Sequence, residues 1–136
     1  MIIIQPSGGL CNRMRVINSG WKLARERKEK LQILWNCNAE LNCPCESLFQ
    51  PVTEFKITSI HSVVDPRKLF HQKTAKNYLT NETILAHRNS DGCLDPDYVA
   101  SLTGKTYIFT WEWFYPSEDY HLFVPTERLQ KRIDSI

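Results

Sequence analysis

The fold of this chain is set by the stretch Ile2-Ile3-Ile4-Gln5-Pro6-Ser7-Gly8-Gly9-Leu10-Cys11-Asn12-Arg13. An apolar run typical of a strand leads into two adjacent glycines, which tolerate positive φ and let the backbone turn sharply. A helical pattern follows at once, so free N–H groups of a helix start should lie beside the glycines. Such a turn either holds an anion such as phosphate or simply makes a tight strand-to-helix connection. It lacks the third glycine of the dinucleotide fingerprint and the Gly-Lys-Ser/Thr ending of a P-loop.

The pattern after the glycines predicts a long amphipathic helix over residues 10–30. Apolar residues recur there at three- and four-residue steps, namely Leu10, Met14, Ile17, Trp21 and Ala24. The next apolar run, residues 31–35, predicts a second strand. Strand, glycine turn, helix and strand make a βαβ unit, in which parallel strands are joined by a right-handed crossover. We therefore expect an α/β fold, a Rossmann-like parallel sheet with helices on both faces.

The rest of the chain predicts several further elements. Residues 55–64 predict a strand or a strand pair, and residues 97–102 a short helix. Large aromatic residues alternate along residues 107–115, which predicts a strand that is covered on two sides. A final helix is expected over residues 125–133, with proline at or before its first turn. The stretch 67–97 is the least legible part of the sequence and shows mainly turn signals.

Length and composition indicate the class of protein. With 136 residues, the chain is long enough for one domain and too short for two ordinary ones. A net charge of +2 gives no reason to expect nucleic acid or a membrane surface as a partner. The apolar start is too short for a signal peptide or a membrane helix. The five cysteines form an odd set, so we expect reduced thiols in a cytoplasmic protein.

Three of the cysteines lie close together in one polar loop, at Cys37, Cys43 and Cys45. Their spacing differs from the C-x2-C pairs of structural zinc sites, and no fourth ligand is near in sequence. We therefore expect no metal, and interpret them as reduced loop thiols or a labile disulfide. The four histidines are scattered and predict no catalytic triad.

Three polar residues are candidates for a functional site. Asn12 can cap the helix or bind a sugar or phosphate, and Arg13 offers a planar fork for phosphates and carboxylates, although either residue can be structural instead. Glu112 is a candidate general base, because it stands among aromatic residues near the carboxyl end of a predicted strand, where ligands of open α/β sheets gather. The alternative for Glu112 is an ordinary paired carboxylate.

Taken together, these features resemble the amino-terminal half of fucosyltransferase-like glycosyltransferases, related to the bacterial nodulation α-1,6-fucosyltransferases and the protein O-fucosyltransferases. The family has a first strand, then G-G-x-G-N-R or a variant, then a long helix. The likeness covers roughly residues 1–50, and Cys11 stands where the family commonly has glycine. The likeness rests on Gly8-Gly9-Leu10-Cys11-Asn12-Arg13, the helix with Trp21 and Ala24, the strand ending in Trp35, and Ser47-Leu48-Phe49.

The resemblance implies the GT-B architecture, in which two Rossmann-like domains face each other across the substrate cleft. In such enzymes the donor, typically GDP-fucose, is held mainly by the carboxyl-terminal domain near an H-x-R-R-x-D strand. This sequence lacks that motif, and Ala86-His87-Arg88-Asn89 shares only two of its letters. We therefore expect residues 1–136 to be a single amino-terminal domain of a truncated glycosyltransferase, inactive alone.

The resemblance also implies inverting transfer of fucose to a glycan or other hydroxyl, usually without a metal ion or other cofactor. Gly8, Gly9, Asn12 and Arg13 would form the amino-terminal wall of the cleft and touch the donor phosphate, the fucose or the acceptor. The implied partners are a nucleotide-sugar donor, a glycan acceptor, the missing carboxyl-terminal domain and a second copy bound through the exposed cleft face. Two alternatives stay open: a small stand-alone phosphate- or nucleotide-binding module without catalysis, and a structural or interaction domain with an exposed apolar face.

Overall fold

The computed structural model describes residues 1–117 and 119–136. Its strands are β1 (Ile2–Pro6), β2 (Leu31–Asn36), β3 (Lys56–Ile60), β4 (Asn77–Leu79) and β5 (Thr106–Thr110). Its helices are α1 (Leu10–Arg27), α2 (Pro66–Thr74), α3 (Asn81–His87), α4 (Pro96–Ser101) and α5 (Glu127–Asp134), with a 3₁₀ turn at Cys45–Ser47. The strands form one parallel sheet in the order β3-β2-β1-β5-β4. The expected Rossmann-like α/β fold is confirmed.

The handedness of the crossovers decides which face of the sheet each helix covers. The connection from β1 through α1 to β2 runs toward the β3 edge, and so does the connection from β4 through α3 and α4 to β5. The connection from β3 through α2 to β4 runs the other way. Right-handed crossovers therefore place α1, α3 and α4 on one face and α2 on the opposite face. Helices thus lie on both faces, and most of them share the face of α1.

The central strand β1 supplies the middle of both cores. Ile2, Ile3 and Ile4 are at most 1% exposed. Ile2 and Ile4 belong to the large core under α1, whereas Ile3 belongs to a smaller core on the opposite face. A continuous apolar run is the pattern expected of a parallel strand that is covered on both sides.

Helix α1 is shorter at its carboxyl end than the sequence predicted. It stops at Arg27 because Lys28 adopts the left-handed conformation, with φ of 54°. The Lys28 N–H group then donates back to the carbonyl oxygens of Ala24 and Arg25, which closes the last turn. Residues 28–30 connect directly to β2.

The predicted strand over residues 107–115 is wrong beyond Thr110. There the backbone leaves the sheet, and its N–H and C=O groups form hydrogen bonds with a side chain of another element. The buried Ser19 hydroxyl of α1 accepts from the N–H groups of Phe114 and Tyr115, each at 3.1 Å, and donates to the Tyr115 carbonyl oxygen at 3.0 Å. A side-chain hydroxyl therefore replaces the strand ladder. The alternating aromatic residues do not share one environment either, because Tyr107 and Tyr115 are buried whereas Phe109 and Trp111 are exposed.

Other boundaries also differ from the sequence predictions. The predicted strand region 55–64 contains only β3. The stretch 67–97, for which the sequence showed mainly turn signals, contains most of α2 together with β4 and α3. The short helix predicted at 97–102 begins at Pro96, with the Asp95 carboxylate accepting from the backbone of its first turn. The carboxyl-terminal helix is confirmed as α5. Among the described residues, no helix is long and apolar enough to cross a membrane.

Helix α1 packs against β1 so closely that Gly20 leaves no room for a side chain. A Cβ atom there would lie 2.1 Å from Ile4 Cδ1 and 3.1 Å from Ile4 Cγ1. We predict that Gly20→Ala lowers the free energy of unfolding by about 1–2 kcal/mol in urea denaturation, because overpacking outweighs the better helix propensity of alanine. Adding Ile4→Val, which removes Cδ1, should recover part of the loss. A Gly20→Ala variant as stable as the parent chain would contradict this packing.

Candidate functional site

The glycine turn lies where the carboxyl ends of β1 and β5 meet. These neighbouring strands are far apart in the chain, so the strand order changes between them. The Ser7 N–H group donates to the Thr110 carbonyl oxygen at 3.0 Å, which ties the turn to the end of β5. In open α/β sheets, ligands bind in the crevice outside the carboxyl ends of the strands at such a change of order. The turn therefore lies at the carboxyl edge of the sheet, where ligands of such folds bind.

The two glycines of the turn differ in conformation. Gly8 has φ of +85°, and a Cβ atom there would lie 3.1 Å from Asn12 Nδ2. Gly9 has φ of −75° and is exposed, and a Cβ atom there would meet nothing within 4 Å. The turn itself thus requires glycine only at Gly8. At Gly9 the missing side chain leaves open space in front of the helix.

The amino-terminal end of α1 carries unpaired donors. Gly9 is the N-cap residue, no side chain caps the helix, and its first turn has no acidic residue. Within the described part of the chain, the N–H groups of Leu10, Cys11 and Asn12 have no hydrogen-bond acceptor. The buried Ser7 hydroxyl also has no partner there. Exposed donors and the positive end of the helix dipole make this end suitable for an anion.

Arg13 lies beneath the turn and is fully buried. Its guanidinium donates to the carbonyl oxygens of Gly8 at 2.8 Å and Asn36 at 2.5 Å, and to Asn38 Oδ1 at 3.0 Å. The same group stacks over the Trp35 ring, 4.9 Å from its centroid. In this geometry Arg13 joins the turn to the end of β2, and a ligand would reach it only after the side chain moved. Direct substrate contact by Arg13 stays a prediction.

Burial lowers the pKa of the Arg13 guanidinium from its usual value of 12.5, and the negative charge of Glu40 opposes this shift. Arginine nevertheless stays charged in proteins. The fold therefore contains a buried cation that is stabilised mainly by carbonyl oxygens.

A substitution separates the structural role of Arg13 from a ligand-binding role. We predict that Arg13→Met, which keeps much of the apolar side chain, lowers the free energy of unfolding by about 2–3 kcal/mol, because two buried carbonyl groups lose a charged donor. Urea denaturation measures the effect. Arg15→Met, at an exposed position on the same helix, should change it by less than about 0.5 kcal/mol. An Arg13→Met variant of unchanged stability would show that the fold does not need the guanidinium.

Trp111 was not predicted as a site residue, yet it lies beside the turn. Its side chain is 50% exposed, and its Cβ atom would be 3.5 Å from a Cβ atom placed on Gly8. Asn81, at the start of α3, accepts the Trp111 N–H group at 3.0 Å and the Thr110 hydroxyl at 2.5 Å through its Oδ1 atom. The indole is thus attached to a fixed backbone and keeps an exposed surface. An aromatic residue directly after a buried strand was the signal available in the sequence.

Glu112 forms an ion pair with Arg88, with 3.1 Å between Oε2 and Nη1. Arg88 also donates to the Trp113 carbonyl oxygen at 2.6 Å and stacks over the Trp113 ring. This is the geometry of an ordinary paired carboxylate, which was the alternative for Glu112. Its role as a general base stays a prediction.

The three cysteines of the polar loop differ in burial, since Cys37 and Cys43 are partly exposed. Cys45 is buried, and burial followed by the charge of Glu46 raises the pKa of its thiol to about 12. Burial also raises the pKa of Cys37. Among the described residues, no group of three His, Cys, Asp or Glu side chains is placed to hold a metal ion. The thiolate is the form that reacts and binds metals, so Cys45 is poorly suited to either task near neutral pH.

The thiols should therefore react very differently with alkylating reagents. At pH 8 we expect iodoacetamide to modify the exposed Cys11 readily and Cys45 only after denaturation, because a pKa of about 12 leaves about one thiol in ten thousand ionised. Raising the pH increases the thiolate fraction and should speed the reaction of Cys45. Peptide mass spectrometry measures both sites. Equal labelling of Cys45 and Cys11 in the folded protein would contradict the structure.

No family model, curated protein or solved structure matches this chain. The fold defines the class as a Rossmann-like α/β domain. Its candidate site is the surface formed by the glycine turn, the start of α1 and Trp111, which we call the crevice. Any function for this crevice must be argued from its chemistry and from the resemblance of the first fifty or so residues.

Proposed function

We propose that this chain is the amino-terminal, acceptor-side domain of a fucosyltransferase-like glycosyltransferase of GT-B architecture. The complete enzyme would transfer fucose from GDP-fucose to a glycan or other hydroxyl acceptor. The observation that carries the proposal is the uncapped start of α1 behind the exposed Gly9, placed in the crevice between β1 and β5. The sequence Gly8-Gly9-Leu10-Cys11-Asn12-Arg13, which resembles the family pattern, forms this structure.

The chemistry of transfer suits the charge of this crevice. The acceptor hydroxyl attacks the anomeric carbon, and the bond to the nucleotide diphosphate breaks as negative charge grows on the departing phosphate. Donors that are already oriented toward developing charge stabilise the transition state without reorganising. The free N–H groups of Leu10 and Cys11 supply such donors, and the open space at Gly9 allows a close approach.

Two side chains around the turn suit a sugar. The Asn12 amide is partly exposed and forms no hydrogen bond within the described residues. It can donate to and accept from sugar hydroxyls. The exposed Trp111 surface offers a flat apolar face for a pyranose ring. In this proposal Arg13 is a positioning residue that holds Gly8 from below.

A second candidate is a small phosphate- or nucleotide-binding module without catalysis. The same uncapped helix start favours it, because anion binding alone needs no acceptor or second domain. The two candidates differ in affinity. In the glycosyltransferase the nucleotide is held mainly by the other domain, so this domain alone should bind weakly.

An NMR titration of the ¹⁵N-labelled chain with GDP and GDP-fucose distinguishes the two candidates. We expect weak binding, with a dissociation constant of about a millimolar, and shift changes that cluster at Gly9, Leu10, Asn12 and the Trp111 indole. Gly9→Val should weaken this binding by at least about fivefold while changing the free energy of unfolding by less than about 1 kcal/mol, since its side chain enters open space. Gly8→Ala is the contrasting variant and should lose about 1–2 kcal/mol, because φ is positive there.

Micromolar, saturable binding at the same residues would favour the stand-alone module over the glycosyltransferase domain. Shift changes remote from the turn, or none at all, would contradict both candidates. Release of GDP from GDP-fucose by this chain alone would contradict the expectation that it is inactive.

A further inference from the structure

A second surface lies at the outer edge of the sheet, away from the crevice. Strand β3 pairs with β2 on one side only. A groove of about 930 Å³ runs along its other side. Six of the residues that line it are Phe49, Val52, Phe55, Lys56, Ile57 and Ser59. A groove along an unpaired strand edge combines an apolar surface with free backbone groups.

The hydrogen bonding of β3 shows which backbone groups point into the groove. The Ile60 carbonyl oxygen accepts the Cys37 N–H group at 2.8 Å, so the backbone of Ile60 faces β2. The N–H and C=O groups of one residue in a parallel strand point to the same side, and the side alternates along the strand. The backbone groups of Ile57 and Ser59 therefore point outward. No described residue forms a hydrogen bond with them.

This edge has little of the usual protection against strand pairing. Natural edge strands are kept short, or carry proline, bulges, charges or a covering element. The opposite edge strand β4 has three residues, whereas β3 has five and contains no proline. Its one charged residue is Lys56, at its first position. The longer edge of the sheet is thus the more open one.

The two faces beside this edge differ in chemistry. On the α1 face, Ile57 packs against the large core beside Phe49 and Phe55, which gives an apolar floor. Lys56 lies on the opposite face, near His71. The pKa of His71 is lowered mainly by burial, then by the charge of Lys105, and to a smaller extent by the charge of Lys56. Lys56 is exposed and forms no ion pair within the described residues. The α1 face thus offers an apolar floor with one carboxylate, Glu46, which accepts the Ser59 hydroxyl at 2.7 Å and disfavours further acidic side chains there. The opposite face offers the Lys56 amine to an acidic side chain.

We infer that the β3 edge binds an extended peptide strand from a partner protein, in which apolar and acidic residues alternate. The strand pairs with the outward backbone groups of Ile57 and Ser59. Its apolar side chains pack against Phe49 and Phe55, and a carboxylate lies near Lys56. Strand addition of this kind takes its affinity from backbone hydrogen bonds and its specificity from alternate side chains.

A second copy of this chain fits the edge less well. Two β3 strands paired antiparallel about Thr58 would place Lys56 of each copy opposite Ile60 of the other. Neither lysine would then gain a carboxylate in the added strand. Charge complementarity therefore favours a strand that brings its own acidic residues.

Fluorescence anisotropy with a capped, labelled peptide of about seven residues, alternating valine with glutamate, tests this inference. We expect saturable binding, and at least about fivefold weaker binding when lysine replaces glutamate. Lys56→Glu should reverse this preference, whereas Lys73→Glu, at an exposed position of α2 outside the groove, should leave it unchanged. Ile57→Pro removes one outward donor and should abolish binding, with circular dichroism as the check on folding.

If Ile57→Pro fails to fold, the Lys56→Glu reversal still decides the question. Equal binding of the two peptides, or a Lys56→Glu variant with unchanged preference, would overturn the inference. So would a concentration-dependent dimer in sedimentation that Lys56→Glu alters, because the edge would then belong to a second copy.

Discussion

The candidate site depends on one buried cation. The Arg13 guanidinium holds the carbonyl oxygens of Gly8 and Asn36, so the loops that follow β1 and β2 are fixed to each other from below. The N–H groups at the start of α1 lack an acceptor for a separate reason, since a helix leaves its first N–H groups unpaired and no side chain caps this one. The buried arginine thus fixes the position of the turn that carries these donors. Burying the arginine costs solvation, and the gain is a rigid turn.

The burial of Arg13 could have been predicted from its helical position. Val16, Ile17 and Gly20 follow it at steps of three, four and seven residues, and all three are buried. Residues at these steps share one face of a helix, so Arg13 belongs to the inward stripe. Its chemistry suggested a ligand contact, but periodicity places its side chain toward the sheet. The different roles of the two glycines could not be predicted from the sequence. Only the backbone angles show that the turn requires glycine at Gly8, whereas the missing side chain of Gly9 leaves open space.

The sequence predicted the parts of the fold that depend on local patterns. The unit β1-α1-β2 was predicted because each of its elements buries a regular apolar face. Helix α2 has only nine residues and none of them is buried, so it offers no long inward apolar stripe for the sequence to reveal. The end of β5 was missed for a different reason, since the hydroxyl that replaces its ladder comes from Ser19, 95 positions before Phe114. Side-chain alternation in a sequence does not report where the backbone finds its hydrogen-bond partners.

The crevice and the β3 edge both follow from the order of the strands. The chain places β2 and β3 on one side of β1 and then places β4 and β5 on the other side, which creates the change of order beside β1. The same order leaves the outer edge of β3 unpaired. Strand β2 lies between the two surfaces and is bonded to both, through Ile60 and Cys37 on one side and through Asn36 and Arg13 on the other. The two surfaces therefore belong to one hydrogen-bonded frame and lie on different sides of β2.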